Sequence, residues 1–204
     1  MAIDLQQLLD PAHTALVTQE IQRGVIGDLS ALPDLAAEGA RILPPIARLA
    51  RAARAAGVPV VHCTALRRAD GLGANTNARI FQYMEKAEPK LTPGSDAAAI
   101  VPEVEVEERD LVLPRLHGLS PFQGTELDFI LRNCGVTTIV GVGVSVNVAI
   151  TNLCFDAVNA GYQVVVPRDA VAGTPADYAQ AVLRHTLRNV ATLVDSDDVI
   201  AAWS

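Results

Sequence analysis

Cysteine is scarce in this chain, and so are aromatic side chains and positive charge. The three cysteines, Cys63, Cys134 and Cys154, are too few and too scattered for a disulfide framework or a zinc site, and are expected to be small buried residues. Sixteen basic residues stand against 23 acidic ones, for a formal charge of −7 at pH 7. With no basic excess to displace counterions, neither a nucleic-acid backbone nor an anionic membrane is expected as a partner. The cluster Arg48, Arg51 and Arg54 has a three-residue spacing and reads as a solvated helix face. No apolar run reaches membrane-spanning length and no charged leader precedes an apolar stretch, so neither insertion nor export is indicated and a cytoplasmic location is expected. Internal repeats, linkers and low-complexity tracts are also missing.

What is present is apolar. Half of the 204 residues are hydrophobic, enough for one sizeable core, so one domain over residues 1–204 is expected. Pro11 ends a short first segment, and His13 to Gln19 (HTALVTQ) reads as a buried strand. Pro33 and Asp34 open a helix that Gly57 closes, with Pro44 and Pro45 expected to kink or split it. Val58 to Cys63 follows as a second strand, and strand-helix-strand at this spacing implies parallel pairing. Periodicity then fades from Thr64 to Arg109, a long connection with one short helix around Ala78 to Glu85, of the kind that forms lids or oligomer contacts. Leu111 to Leu116 reads as a third strand, at an edge or ending at Pro114. Thr125 and Asp128 read as a capping-box variant opening a helix to Cys134. After the central strand and helix described next come a strand at Tyr162 to Val166, a helix opened by Thr174, Pro175 and Asp177, a short strand at Ala191 to Val194, and a final helix capped by Ser196. Six strands alternating with helices predict an α/β, three-layer αβα Rossmann-like sandwich around a mostly parallel sheet.

The chain is organised around Val136 to Ala160, VTTIVGVGVSVNVAITNLCFDAVNA. A β-branched run is followed by Gly141 and Gly143 and then by a segment, Val146 to Ala160, that can be helical. Such a strand-turn-helix places the helix start at the carboxyl end of a strand, where open α/β sheets bind ligands. With the following GYQVVVPRDA (Gly161 to Ala170), this stretch resembles the nucleophile region of the isochorismatase-like cysteine hydrolases. The family pattern, which opens with Gly-Val, continues through Thr or Ser and ends at the Cys, falls on Gly143 to Ala149, and its cysteine position is Ala149. The resemblance covers most of the chain, is weakest between Thr64 and Arg109, and implies the isochorismatase-like hydrolase fold.

Amidase members of that family use an aspartate after the first strand, a lysine after the third, and the cysteine. The resemblance carries these roles onto altered residues here. ALVTQEIQ (Ala15 to Gln22) places Glu20 in the acid slot, with Gln22 at the matching family spacing. A glutamate keeps the carboxylate and can move a proton; the alternative is a surface-turn residue. LPRLHGLSPFQGT (Leu113 to Thr125) resembles the lysine region, with Ser120, Phe122, Gly124 and Thr125 at family positions. Arg115 or His117 would supply the cation, the first as a fixed charge and the second as a group titrating near neutrality. Ala149 cannot attack a substrate, although backbone N–H groups at Val148 and Ala149 could still hold an oxyanion. Ser145 is near enough to substitute if Glu20 or His117 serves as its base, and is otherwise a turn or cap residue; Cys154 should face away, about 140° round the helix.

Val144, Ser145, Val148 and Arg168 complete the expected substrate contacts, the last as a cation after the fifth strand. Relatives imply a cis Val144–Ser145 peptide, which the sequence leaves open. The pair His62 and Cys63, where some relatives place metal ligands, lacks the ligand count for zinc, so no metal and no cofactor are expected. His185 is expected on a polar helix face. The resulting expectation is a hydrolase acting on a small anionic molecule, at an amide, ureide or vinyl-ether bond, by acid/base chemistry without a thiol. The alternative is a catalytically silent member that binds a metabolite or serves as an assembly subunit. The resemblance implies a homo-oligomer, dimer or tetramer.

Overall fold

The computed structural model describes residues 3–204. Seven strands are present: β1 (Thr14–Gln19), β2 (Val60–Ala65), β3 (Leu111–Arg115), β4 (Thr138–Val144), β5 (Gln163–Pro167), β6 (Val171–Ala172) and β7 (Thr192–Val194). Every pairing is parallel, in the order β3-β2-β1-β4-β5-β7, and the two-residue β6 joins the end of β4. The helices are α1 (Leu5–Leu8), α2 (Pro33–Ala55), α3 (Arg79–Lys86), α4 (Leu127–Asn133), α5 (Thr151–Asn159), α6 (Ala176–His185) and α7 (Ser196–Ala202).

Alternation along the central strands divides the core. Leu16, Val140 and Val142 face Ile42, Ile46 and Leu49 of α2, with α7 and Trp203 in the same layer. Val17, Val61 and Ile139 face Leu131 of α4, Leu153 and Ala157 of α5, and Leu183 of α6. Both faces of the sheet are therefore covered, and all six residues of β1 are buried, which is why the inner strands read as unbroken apolar runs. Edge strand β3 is half exposed and carries Pro114, where a missing N–H costs no ladder bond.

Several local expectations are corrected. The sheet has a seventh strand, β6, too short to leave a period in the sequence. Strand β4 runs on through both glycines to Val144, and the segment after it opens with a wide π-type turn, Val146–Ile150, before α5. Helix α2 is continuous through Pro44 and Pro45: the carbonyls these prolines leave unpaired belong to Ala40 and Arg41, which are exposed and can turn to water. Its arginines are not one solvated face, because Arg54 is buried with a side chain 3% exposed and paired with Asp110. Thr125 makes no capping box, since Asp128 is engaged with Tyr162 and Arg132 instead. No side chain caps α6, where Asp177 accepts from the Tyr178 N–H inside the helix. Asp195, in a capping box with Asp198, caps the last helix, whereas Ser196 donates to Asp169. Cys63 and Cys154 are buried, but Cys134, at the end of α4, is exposed.

Candidate active site

The carboxyl ends of β1, β3 and β4 meet at one rim. Immediately after β1, Glu20 takes a left-handed backbone (φ 53°) and its N–H donates to Cys63 O at 2.9 Å. That conformation is costly for a residue with a Cβ, and here it turns the carboxylate toward β3. Glu20 Oε1 accepts from Gln19 Nε2 at 3.0 Å and from Arg115 Nη2, while no described residue donates to Oε2. Arg115 is the last residue of β3, 6% exposed at its side chain against 17% for Glu20. Its Nε donates to Gly118 O at 3.3 Å, and the Gly118 N–H in turn donates to Asn75 Oδ1 at 2.8 Å. Arg115 Nη1 is buried and has no partner among the described residues. Arg115, rather than His117, is the cation in contact with the Glu20 carboxylate, and its Nη1 is left without a partner among the described residues.

These groups line a cavity of about 240 Å³ together with His117, Ser145, Val148 and Ala149. Apolar side chains of the long connection, among them Ile80, Tyr83 and Met84 of α3, form its roof. Helix α3 has no buried residue, so it sits over the site rather than in the core. His117 packs its ring beside Gly124, where a Cβ would come within 2.8 Å of Cε1. The Val144–Ser145 peptide is cis. Ser145 O accepts from the N–H groups of Val148 and Ile150, at 3.0 Å each, so the Val148 N–H is committed to the turn and is not offered to a ligand. Ser145 lines the cavity with Glu20 and His117, but its Oγ makes no hydrogen bond to either among the described residues.

Five expected ligand contacts lie elsewhere. Gln22 is fully buried and spends its amide on backbone, donating to Ala65 O and Ala98 O and accepting from Ala65 N–H. It is a clamp between β2 and the long connection. Ser120 Oγ donates to Asp156 and accepts from the N–H groups of Phe122 and Gln123, tying its loop to α5. Phe122 packs against Tyr162 in a tilted arrangement with ring centroids 5.9 Å apart, and Val144 is wholly buried in β4. Arg168 pairs with Asp195 at 3.1 Å and borders a second cavity, of about 490 Å³, beside α2 and α6.

No described cysteine lines the first cavity. Cys63 lies beneath the Glu20–Arg115 pair, and burial pushes its thiol up to about 12, with the Arg115 charge opposing and the Glu20 charge adding. Cys154 is likewise pushed up to about 12 by burial. His62 is fully buried, its Nδ1 2.7 Å from Thr18 Oγ1 and its Nε2 3.4 Å from Asp110. Among the described residues no group of three or more His, Cys, Asp and Glu could hold a metal ion. Gln19 and Asn75, which orient the pair, were missed by sequence reasoning. Asn75 lies in an aperiodic loop and gives no local signal, whereas Gln19 could have been suspected as the last residue of a buried strand directly before the acid.

Comparison with known proteins adds four likenesses. The family model described as isochorismatase domain matches residues 14–198. Ureidoacrylate amidohydrolase RutB of Methylobacterium radiotolerans is 31% identical over 211 residues, spanning 96% of this chain and 80% of that protein. N-carbamoylsarcosine amidase of an Arthrobacter species is 26% identical over 130 residues, 64% of this chain and 49% of the amidase. Among solved structures, a cysteine hydrolase from Pseudomonas syringae pv. phaseolicola superposes with a TM-score of 0.82 at 24% identity, covering 95% of this chain and 93% of that one.

Proposed function

This chain belongs to the isochorismatase family, and from that premise we propose that it hydrolyses a C–N bond in a small ureido or carbamoyl carboxylate, with no thiol nucleophile. The observation that carries the reading is the Glu20–Arg115 pair at the wall of a cavity whose helix side presents Ala149, 3% exposed, where the family resemblance expects a cysteine. The two relatives support the bond type, since their names specify a ureido and a carbamoyl compound, each bearing a carboxylate.

The chemistry needs a water in place of the thiol. Glu20 takes a proton from that water as its oxygen adds to the carbamoyl carbon, and returns the proton to the nitrogen as the C–N bond breaks. Arg115 stays charged throughout and cannot serve as a base; its unused Nη1 donor faces the anionic oxygen of the ligand. The apolar roof keeps bulk water from the reacting atoms, which strengthens both interactions.

A second reading is a silent member that binds a metabolite, and it draws on the inert Ala149 and on a Ser145 Oγ that makes no hydrogen bond to Glu20 or His117. A panel of ureido acids, carbamoyl amino acids, simple amides and vinyl ethers separates the two. Turnover of a carbamoyl or ureido acid is expected, and Glu20→Gln should lower kcat by about a hundredfold or more. Activity that survives this change sinks the acid/base role. Ligand-induced thermal stabilisation without any turnover favours the binding reading.

A further inference from the structure

We infer that the ligand carries a second anionic group and that Arg67 selects it. This rests on the reading that Glu20 and Arg115 form the reacting end of the cavity, and it narrows the substrate to the carbamoyl or ureido dicarboxylates. The starting observation is charge. In a chain with a formal charge of −7, three cations, Arg67, Lys90 and Arg115, line one small cavity with Glu20 as the carboxylate among its lining residues, and Glu85 and Glu88 stand 3.8 Å from Arg67 and 3.4 Å from Lys90.

The protein satisfies these cations unequally. Lys90 Nζ is consumed at the end of α3, donating to the carbonyls of Glu85 and Ala87, and so has a structural task. Arg115 uses Nη2 and Nε within the protein and keeps Nη1. Arg67 makes no side-chain hydrogen bond among the described residues, and its nearest carboxylate, Glu85 Oε1, stands at 3.8 Å, beyond hydrogen-bonding distance. Its neighbour Arg68 shows the contrast, held by Asp70 at 2.7 and 2.9 Å. Arg67 is thus only loosely paired, to a half-exposed Glu85, while its own side chain is only 24% exposed.

Its placement is fixed rather than adventitious. The Leu66 N–H donates to Arg115 O and the Arg67 N–H to Leu91 O, both at 2.8 Å, so Arg67 leaves the backbone one residue from the point where the chain pairs with Arg115. Gly71, with φ +70°, gives its guanidinium room: a Cβ there would lie 2.9 Å from Arg67 Nη2. An anion entering the cavity meets two guanidinium groups, of which Arg115 is held by a hydrogen-bonded carboxylate and Arg67 only by the longer contact to Glu85. A dicarboxylate can meet Arg115 Nη1 with one group and the Arg67 fork with the other, whereas a monocarboxylate can engage only one of the two.

Calorimetric titration with N-carbamoyl-L-aspartate and N-carbamoyl-β-alanine, which differ by one carboxylate, tests this; for a compound that is turned over, the same comparison is made in KM. The dicarboxylate should bind about tenfold tighter or more, a typical effect of one added charged hydrogen bond. Arg67→Gln should erase that preference while leaving the monocarboxylate within about twofold, and Arg67→Lys should restore part of it. An unchanged melting temperature of Arg67→Gln without ligand shows that the fold is intact. Equal affinities in the wild type, a preference that survives Arg67→Gln, or no binding of either compound at millimolar concentration overturns the inference. Arg115→Gln separates it from the underlying reading: if that change weakens both compounds while Arg67→Gln weakens neither, the reacting end stands and only Arg67 is wrongly assigned. Should Arg115→Gln weaken neither compound, the reading of the reacting end fails as well.

Discussion

Glu20 joins two opposing demands in one residue. Its φ of 53° favours glycine, yet its carboxylate is the acceptor for Gln19 and Arg115. Comparing Glu20→Gly with Glu20→Ala separates the two, because both lose the carboxylate and only alanine keeps the Cβ. The glycine variant is expected to be more stable than the alanine variant by about 1 kcal/mol, read from denaturant midpoints at equal m, with both inactive. Equal stabilities would mean that the backbone there carries no strain. Glu20 and Ala149 are legible through the family resemblance, which leaves Arg115 and His117 as alternatives; the structure brings all four to the lining of one cavity. Gln22, Ser120 and Phe122 matched the same pattern, but they are spent on backbone clamps and packing, and spacing alone does not distinguish a residue that holds a loop from one that meets a ligand. Arg67 and Asn75 escaped for the opposite reason, lying where the chain has no period.

At the scale of elements, β4 shows how a strand becomes a site. Its sequence alternates valine with Gly141 and Gly143, and the second glycine has φ +110° because the backbone there passes close to β1: a Cβ would run into the carbonyl oxygen of Gln19. Gly143→Ala is therefore expected to lose more than about 1 kcal/mol of stability and to displace Gln19, the residue that holds Glu20. A wild-type denaturant midpoint for this variant would show that β1 and β4 can separate without loss. The same strand explains what was and was not visible in advance. Apolar runs and turn residues announced six strands and most helices, since burial on both faces leaves a continuous signal. The two-residue β6 and the wide turn at Val146 to Ile150 depend on neighbours far away in the chain. The path of α2 through its two prolines depends on solvent at Ala40 and Arg41, which composition does not reveal.

Across the whole molecule, a buried network joins elements that the site needs together. Arg54 of α2 holds Asp110 with contacts of 2.6 and 3.2 Å, and Asp110 faces His62 of β2, which meets Thr18 of β1. Burial holds the His62 imidazole below its ordinary 6.5, with the Asp110 charge acting the other way and Arg54 adding to the fall. For Asp110, burial pushes upward, but hydrogen bonds from Arg54 and the Glu107 N–H outweigh it and leave the carboxyl below 3.8. In both cases the unfolded chain binds the proton more readily, so stability rises with pH. The His62 contribution is complete above 6.5 and is lost as pH falls beneath it, and the Asp110 contribution is lost below 3.8. Melting temperature should fall on acidification from pH 6.5, and His62→Gln should flatten that upper part of the slope while leaving the steeper loss at lower pH. The sheet order has a different consequence, felt before the protein is finished. Strand β1 can pair with β2 early, through Leu16 and Val60, but its other neighbour waits for Thr138 to meet Thr14. At ribosomal speeds that interval is on the order of ten seconds. Throughout it the most apolar edge of the nascent chain stands open to any passing strand, a hazard that translation rate and chaperone supply would govern more than any contact in the finished fold.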